Sequence, residues 1–353
     1  MKIMNPATDK LWSMNRRAFL RLSGLLGLGL ATGGIIPSAA EAVRFNRKLY
    51  KVSKTRLAMG TFVSMTLIHP SQDEAEEAMG LAFEEIDRLT RAMSRFDETT
   101  AVAQLNREGV LVDVPPEVVH VVATGLDYYR ISGRCFDISV KPVVDLFREK
   151  FASGKDIRPA ETELNKVLGL VGSDMIELNG RTLRFKKPGM GITLDGIAKG
   201  YIVDKASEVL VSRNIKNHLI NAGGDIRARG LRQDRKPWVI AIQDPKKEKR
   251  YPDIINMSDG AIATSGNYEV YFDREKMFHH IVNPSTGRSP EASTSVSVIA
   301  DNTMAADALS TSVFVMDPAQ GTIFINSLPG CECLVIARDG KKFKSAGWKS
   351  GAV

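Results

Sequence analysis

The stretch TSVSVIADNTMAADALSTSVFVM (residues 294–316) changes its period in the middle. Residues 294–301 are rich in β-branched side chains and read as a strand, whereas 303–316 carry a helical pattern. On that helix Asp307 and Thr311 stand four residues apart, so they share one face, one turn from each other. A carboxylate and a hydroxyl so placed offer oxygen ligands to a hard cation such as Mg2+, which commonly keeps waters or substrate phosphates as its other ligands. The spacing points to work on a phosphate ester or anhydride.

The same juxtaposition of strand and helix occurs earlier in the chain. Residues 57–70 (LAMGTFVSMTLIHP) alternate as a strand, and 71–96 place Ala78, Leu81, Ala82, Ile86, Leu89 and Met93 at helical spacing behind a Ser71 N-cap with Glu74 three residues on. Residues 116–133 and 196–214 read as further helices. Residues 174–190 read as a hairpin turning at Asn179-Gly180, 218–230 as a strand running into a tight loop, 236–245 and 260–272 as strands, and 332–347 as a closing hairpin. Few βαβ units are clean, which gives an α+β or mixed α/β fold in one globular unit or two fused lobes.

The first 42 residues read as an export signal. Arg16-Arg17-Ala18-Phe19-Leu20 precedes an uncharged run from Leu22 to Ile36, which is too short to span a membrane, and Ala40 and Ala42 fit an A-x-A cleavage site after Ala42. The arginine pair fits a twin-arginine signal, which places the remaining domain, 43–353, in the periplasm; the plainer readings are a Sec signal or an uncleaved N-terminal anchor. The signal has five basic residues against two acidic, so the following 311 residues carry +4 of the chain's +7. That charge is mild, and no Lys/Arg run is interleaved with aromatics, so nucleic acid is not an expected partner. The densest basic stretch, Lys246-Lys247-Glu248-Lys249-Arg250, reads as a solvated loop. Three cysteines, Cys135, Cys331 and Cys333, exclude a full disulfide framework; the last two read as buried small residues in a strand.

Four further segments carry chemistry, each with a plainer reading beside it. Gly196 and Gly200 flank Lys199 where a strand enters a helix, which suits an anion but equally suits a capped helix with an exposed lysine. In NAGGDIRARG (221–230), Gly223-Gly224 allow close backbone approach and Asp225 can accept hydrogen bonds from a ligand, or the string is a hairpin turn. Thr264, Ser265 and Gly266 suit a ligand contact or a β-turn. His279 and His280 precede Ile281-Val282-Asn283-Pro284; strand alternation sends one towards a ligand, where it can act as a general base, and the other away.

In the order MGT, MSRFD…LN, FDISVKP, LDGIAKGYIVD, NAGGDIRARG, ATSGNYE, HHIVNPSTG and ADALST, these segments resemble the ApbE family of FAD:protein FMN transferases, from about Met59 to Met316. The resemblance implies a T-fold-like ApbE domain. It implies an enzyme that splits FAD, moves FMN onto a Thr or Ser hydroxyl of a target flavoprotein and releases AMP. It also implies Mg2+ held by Asp307, Thr311 and the Gly196 carbonyl. By the same carry-over His280 deprotonates or places the acceptor hydroxyl. Met59, Phe96, Cys135, Phe136, Asp137, Lys199, Asp225 and Thr264 are the implied flavin and adenine contacts.

The chain departs from the family at T-L-D-G-I-A-K-G (193–200), where D-L-G-G is usual: Thr193 replaces the Asp, and Asp195 takes the place of a Gly or Ser. A carboxylate displaced by two residues stays on the same strand face, so Asp195 is a candidate substitute. Position 135, commonly small, is Cys. The T-L-x-G-I-A-x-G-Y-I pattern and the arginine pair resemble the exported NosX-like branch, which implies a membrane-bound electron-transfer subunit, NosR-like, as target. Two other readings stay open on sequence: a non-catalytic periplasmic FAD carrier, and an FAD pyrophosphatase that uses water as acceptor.

Overall fold

The computed structural model describes residues 41–46, 49–152, 159–245, 251–267 and 281–351. The signal segment up to residue 40, the basic stretch 246–250, and His279 and His280 lie outside them.

A nine-stranded antiparallel sheet runs through the chain in the order β1 (Glu41–Asn46), β2 (Leu49–Ala58), β3 (Thr61–His69), β7 (Asn217–Ala222), β8 (Asp225–Arg229), β11 (Asp259–Gly266), β12 (Ser293–Ala300), β13 (Glu332–Ala337) and β14 (Lys342–Lys344). Three short strands, β4 (Val110–Leu111), β5 (Ile176–Asn179) and β6 (Thr182–Phe185), form a separate sheet, and β9 (Trp238–Ala241) pairs with β10 (Ile254–Met257). The helices are α1 (Gln72–Met93), α2 (Ala101–Glu108), α3 (Pro116–Ile131), α4 (Lys141–Ala152), α5 (Glu161–Leu168), α6 (Ala198–Ser212), α7 (Thr303–Val315) and α8 (Pro318–Asn326). One sheet spanning both ends of the described chain makes this a single unit of the α+β kind, not two lobes.

Side-chain alternation decides what covers each face. Val63, Met65 and Leu67 of β3 and Ile220 and Ala222 of β7 point to a core shared with α1 and α6, while Val296 and Val298 of β12 meet Leu309 and Val313 of α7. The opposite face carries Ile226, Ile262, Leu334 and Ile336, covered by Trp238 and Ile240 of β9, Ile255 and Met257 of β10, and Trp348. Helix α1 buries Ala75, Ala78, Met79, Ala82, Phe83, Ile86 and Leu89, one apolar stripe, and Ser71 Oγ accepts the Glu74 N–H at 3.3 Å. The Glu74 carboxylate faces His69 Nε2 at 4.0 Å.

Three local expectations are corrected. Residues 57–70 are not one strand: the chain reverses at Met59-Gly60, both at positive φ (52° and 71°), so β2 and β3 form a hairpin. Residues 218–230 likewise split into β7 and β8 about Gly223 (φ 65°) and Gly224 (φ 104°), a two-residue turn of the left-handed class that matches strand twist. A Cβ on Gly223 would sit 2.4 Å from Thr61 Oγ1, so the two turns abut. In the β5–β6 hairpin Asn179 pairs with Thr182, which moves the turn one residue on, to Gly180-Arg181. The sequence patterns also passed over α2, α4, α5 and α8, which are short or carry a narrow apolar face.

Helices α6 and α7 cross in direct backbone contact. A Cβ on Gly200 would lie 2.4 Å from the Thr303 carbonyl oxygen, so only glycine fits there. One turn further along α6, the Asp204 carboxylate accepts the N–H groups of Thr303 (2.9 Å) and Met304 (2.8 Å), while Asn302 accepts that of Ala305 (2.8 Å). Two side chains from different elements thus cap α7. Helix α6 is also tied to β7 through His218, which is fully buried: its Nε2 lies 2.7 Å from Ser207 Oγ and its Nδ1 3.0 Å from the Ile215 carbonyl.

Two outcomes follow from this packing. Gly200→Ala forces α6 and α7 apart and should cost about 2 kcal/mol as overpacking, read as a lower denaturant midpoint. Burial lowers the His218 pKa from 6.5 to about 4. The unfolded chain therefore takes up a proton near pH 6.5, whereas the folded chain does so only near 4. Stability is full above pH 6.5 and should fall by about 3 kcal/mol as pH drops through that window. His218→Gln should flatten that acid limb in chemical denaturation at stepped pH; an unchanged slope would assign the loss to other groups.

Candidate active site

The cleft opens where the 193–197 segment leads into α6, facing the second turn of α7. Asn106 of α2 fixes the start of that segment: its Oδ1 accepts the Ile192 N–H at 2.6 Å and its Nδ2 donates to the Ile192 carbonyl at 3.0 Å, as a neighbouring strand would. Thr193 N donates to the Ile138 carbonyl at 2.8 Å, joining the segment to residues 135–140. The other walls are the start of β8, the end of β11, Val144 of α4 and residues Ile281-Val282.

Asp307 and Thr311 both line the cleft, as their four-residue spacing requires. Asp307 is buried and its Oδ2 accepts the Gly200 N–H at 3.1 Å across the helix crossing. Thr311 Oγ1 lies 3.3 Å from Ser265 Oγ, which also reaches Ser310 Oγ at 2.8 Å. Gly196 backs directly on Thr311; a Cβ there would stand 3.1 Å from Thr311 Oγ1. Asp225, at the head of β8, is 2% exposed and pairs with Lys199 Nζ at 3.1 Å.

Among the described residues, two buried carboxylates and one ammonium therefore share this cleft floor. Burial pushes the pKa of Asp307 well up, and the neighbouring Asp225 raises it further against the pull of Lys199. Asp225 is also raised by burial, with Lys199 opposing. Such a floor favours an added cation. The donors are all oxygen, and among the described residues no cluster of three or more His, Cys, Asp or Glu converges anywhere. A buried carboxylate with a hydroxyl on the same helix face is a set of hard oxygen donors, which suits Mg2+ rather than a soft metal.

Of the residues singled out from sequence, Cys135, Phe136, Asp137, Thr193, Asp195, Gly196, Lys199, Asp225, Thr264, Asp307 and Thr311 all line this cleft. Asp137 does so with its carboxylate turned inward: Oδ1 accepts Ser139 N (2.8 Å), Ser139 Oγ and Ser173 Oγ (both 2.6 Å), and Oδ2 accepts Ser173 N (3.2 Å). Those bonds shape the wall. Thr264 Oγ1 is 2.8 Å from Ser297 Oγ. Phe136 meets Tyr128 edge to face at 6.1 Å. Met59 packs against the main core at its hairpin turn and is not among the lining residues. Phe96 stands outside the lining too, 66% exposed, with the guanidinium groups of Arg95 and Arg148 over its ring at 4.5 and 4.8 Å. Sequence reading passed over Ile138, Val140 and Val144, the apolar wall, and Asp204. A carboxylate four residues after Gly200 was the available signal for Asp204, since it falls on the packed face of α6.

The sequence model of the ApbE family matches residues 59–335. This chain belongs to the ApbE family. Among its relatives, the FAD:protein FMN transferase of Vibrio cholerae is 32% identical over 246 residues, 67% of this chain and 74% of that protein. The fold agrees with solved ApbE structures. The ApbE protein of Thermotoga maritima superposes with a TM-score of 0.77 at 29% identity, covering 84% of this chain and 97% of its own. The flavin transferase ApbE of V. cholerae gives 0.74 at 27%, covering 87% and 98%. The family match spans the whole cleft, from the β2–β3 turn to β13.

Removing one partner of the buried pair tests the charge balance. Lys199→Met leaves Asp225 buried without its ammonium and should cost about 3 kcal/mol. Lys199→Met/Asp225→Asn should recover most of that loss in a double-mutant cycle by urea unfolding; independent, additive effects would contradict the pairing.

Proposed function

We propose that this chain is an FAD:protein FMN transferase that moves FMN from FAD onto a Thr or Ser hydroxyl of a target flavoprotein, with AMP as the leaving group. The observation that carries the reading is the oxygen-lined floor formed by Asp307 and Thr311, four residues apart and facing Gly196 and Lys199. It sits in a chain of the ApbE family whose relatives bear that activity in their names.

The residues divide the work by position. Lys199, held at the N-terminal turn of α6 beside Asp225, offers an ammonium to an anionic diphosphate. Ser265 orders the Thr311 hydroxyl. Ile138, Val140 and Val144 give an apolar wall for a planar ring system and keep water from the reacting phosphorus. Asp307, Thr311 and the Gly196 carbonyl would hold Mg2+, which when bound supplies positive charge to a diphosphate. His280, outside the described residues, is the proposed base for the acceptor hydroxyl. The phosphorus–oxygen bond to FMN forms as the bond to AMP breaks, and the acceptor's proton leaves to that base.

The same proposal places the domain after residue 42 in the periplasm, exported by the twin-arginine route. It takes as target a membrane-bound electron-transfer subunit, NosR-like if the chain is of the NosX-like branch. Export of folded protein suits an enzyme whose cleft joins segments from across the chain.

Mass spectrometry of a target protein incubated with the chain, FAD and Mg2+ should show a gain of one FMN, lost with EDTA. Asp307→Asn should remove at least about 100-fold of the rate, the scale of losing a metal ligand or its orienting shell, while the chain stays folded. His280→Ala should retain FAD binding and lose transfer. FAD bound intact with an unmodified target would point to a carrier; free FMN and AMP would point to a hydrolase.

A further inference from the structure

Arg95 lies just past the C-cap of α1, and its side chain is only 4% exposed. Both terminal nitrogens donate to carboxylates that come from elsewhere in the chain: Nη1 to Asp145 Oδ1 on α4 and Nη2 to Asp195 Oδ2, each at 3.2 Å. Its Nε is buried with no hydrogen-bond partner among the described residues. A guanidinium withdrawn from water with one donor unsatisfied costs stability. Stability alone therefore does not account for its place, and its two partners indicate what it does.

The two carboxylates differ. Asp145 is already met by Lys141 Nζ at 2.5 Å, so its charge is balanced without Arg95. Among the described residues Arg95 makes the direct ion pair with Asp195, at 3.2 Å, and the Arg148 guanidinium, over the same Phe96 ring, adds a longer-range attraction to it. Asp195 lines the cleft, sits one residue before Gly196, and its charge adds to the field that raises Asp307. Among the described residues, Asp195, Asp225 and Asp307 line the cleft with Lys199 as the facing ammonium. Left unpaired, the Asp195 carboxylate would add negative charge at the mouth of the cleft and oppose an anionic ligand there.

We propose that Arg95 is a positioning residue that fastens the Asp195 carboxylate to the outer rim and neutralises it, so that an anionic phosphate ligand can enter the cleft. For FAD as that ligand, the inference rests on the flavin-transfer reading. It also explains how the chain accommodates a carboxylate at position 195, where its family usually has a small residue: Arg95 bridges α1 and α4 to the 193–197 segment and holds the added charge aside. Asp195 is thereby a rim group, not a stand-in for the missing carboxylate at 193.

The test compares wild type, Arg95→Ala, Arg95→Lys, Asp195→Asn and Arg95→Ala/Asp195→Asn in FMN transfer and in FAD binding by flavin fluorescence, at low and high salt, with a thermal melt of each. Arg95→Ala should raise the KM and Kd for FAD about tenfold at low salt, from one uncompensated charge near the ligand, with kcat within about twofold. High salt should shrink that penalty. Arg95→Ala/Asp195→Asn should return both constants to near the wild-type values, and Arg95→Lys should keep most of the affinity. If Arg95→Ala fails to fold, Arg95→Lys and Asp195→Asn still decide the matter: a rise in KM with Asp195→Asn alone would overturn the proposal. So would a folded double variant no better than Arg95→Ala, or a penalty indifferent to salt. A wild-type chain that binds FAD but transfers nothing would remove the transferase reading and leave the binding arms of this test standing.

Discussion

The crossing of α6 and α7 is the contact on which the rest depends. At Gly200 the two backbones touch, and the N–H of that glycine donates to Asp307. One turn on, Asp204 accepts the first two N–H groups of α7. Three features that look separate in the sequence are one piece of engineering: the glycine permits the approach, the Asp204 carboxylate sets the register, and the register delivers Asp307 and Thr311 to the cleft. A shift of α7 by one residue would turn them about 100° away from it.

Charge is the second constraint, and it follows from the first. Bringing α7 against the start of α6 sets Asp307 near Asp225, both out of water, and Lys199 offsets only part of that. The floor thus carries a fixed negative field held out of water, as sites that work by electrostatics commonly do. The polar bonds of Asp137 and Asn106 then serve the floor indirectly, by fixing the two backbone segments that frame it.

Much of this was legible from residues alone, and the limits have physical causes. Asp307 and Thr311 were readable because helical period is a local property, and the strands and helices with clean periods appeared where expected. The two glycine-centred turns were misjudged because residues on either side continue the strand alternation; only positive φ at Met59 and Gly223-Gly224 reveals the reversal. Met59 and Phe96 were carried over from family resemblance, and their side chains face the core and the solvent respectively. Arg95, Asn106 and Asp204 escaped notice because each acts on a partner about 50 to 100 residues distant, a relation that no window of sequence contains.

The cleft draws on residues from 135 to 311 and no two neighbouring elements suffice to build it. Its sheet joins β3 to β7 and β8 to β11 across long intervening segments. Contacts of such sequence separation form late and slowly. A growing chain therefore has no partial version of this cleft: until residue 311 is present and α7 has docked, Lys199 and Asp225 face no partner helix and no ligand can be gripped. Flavin capture by this chain is in effect a report that α7 has docked.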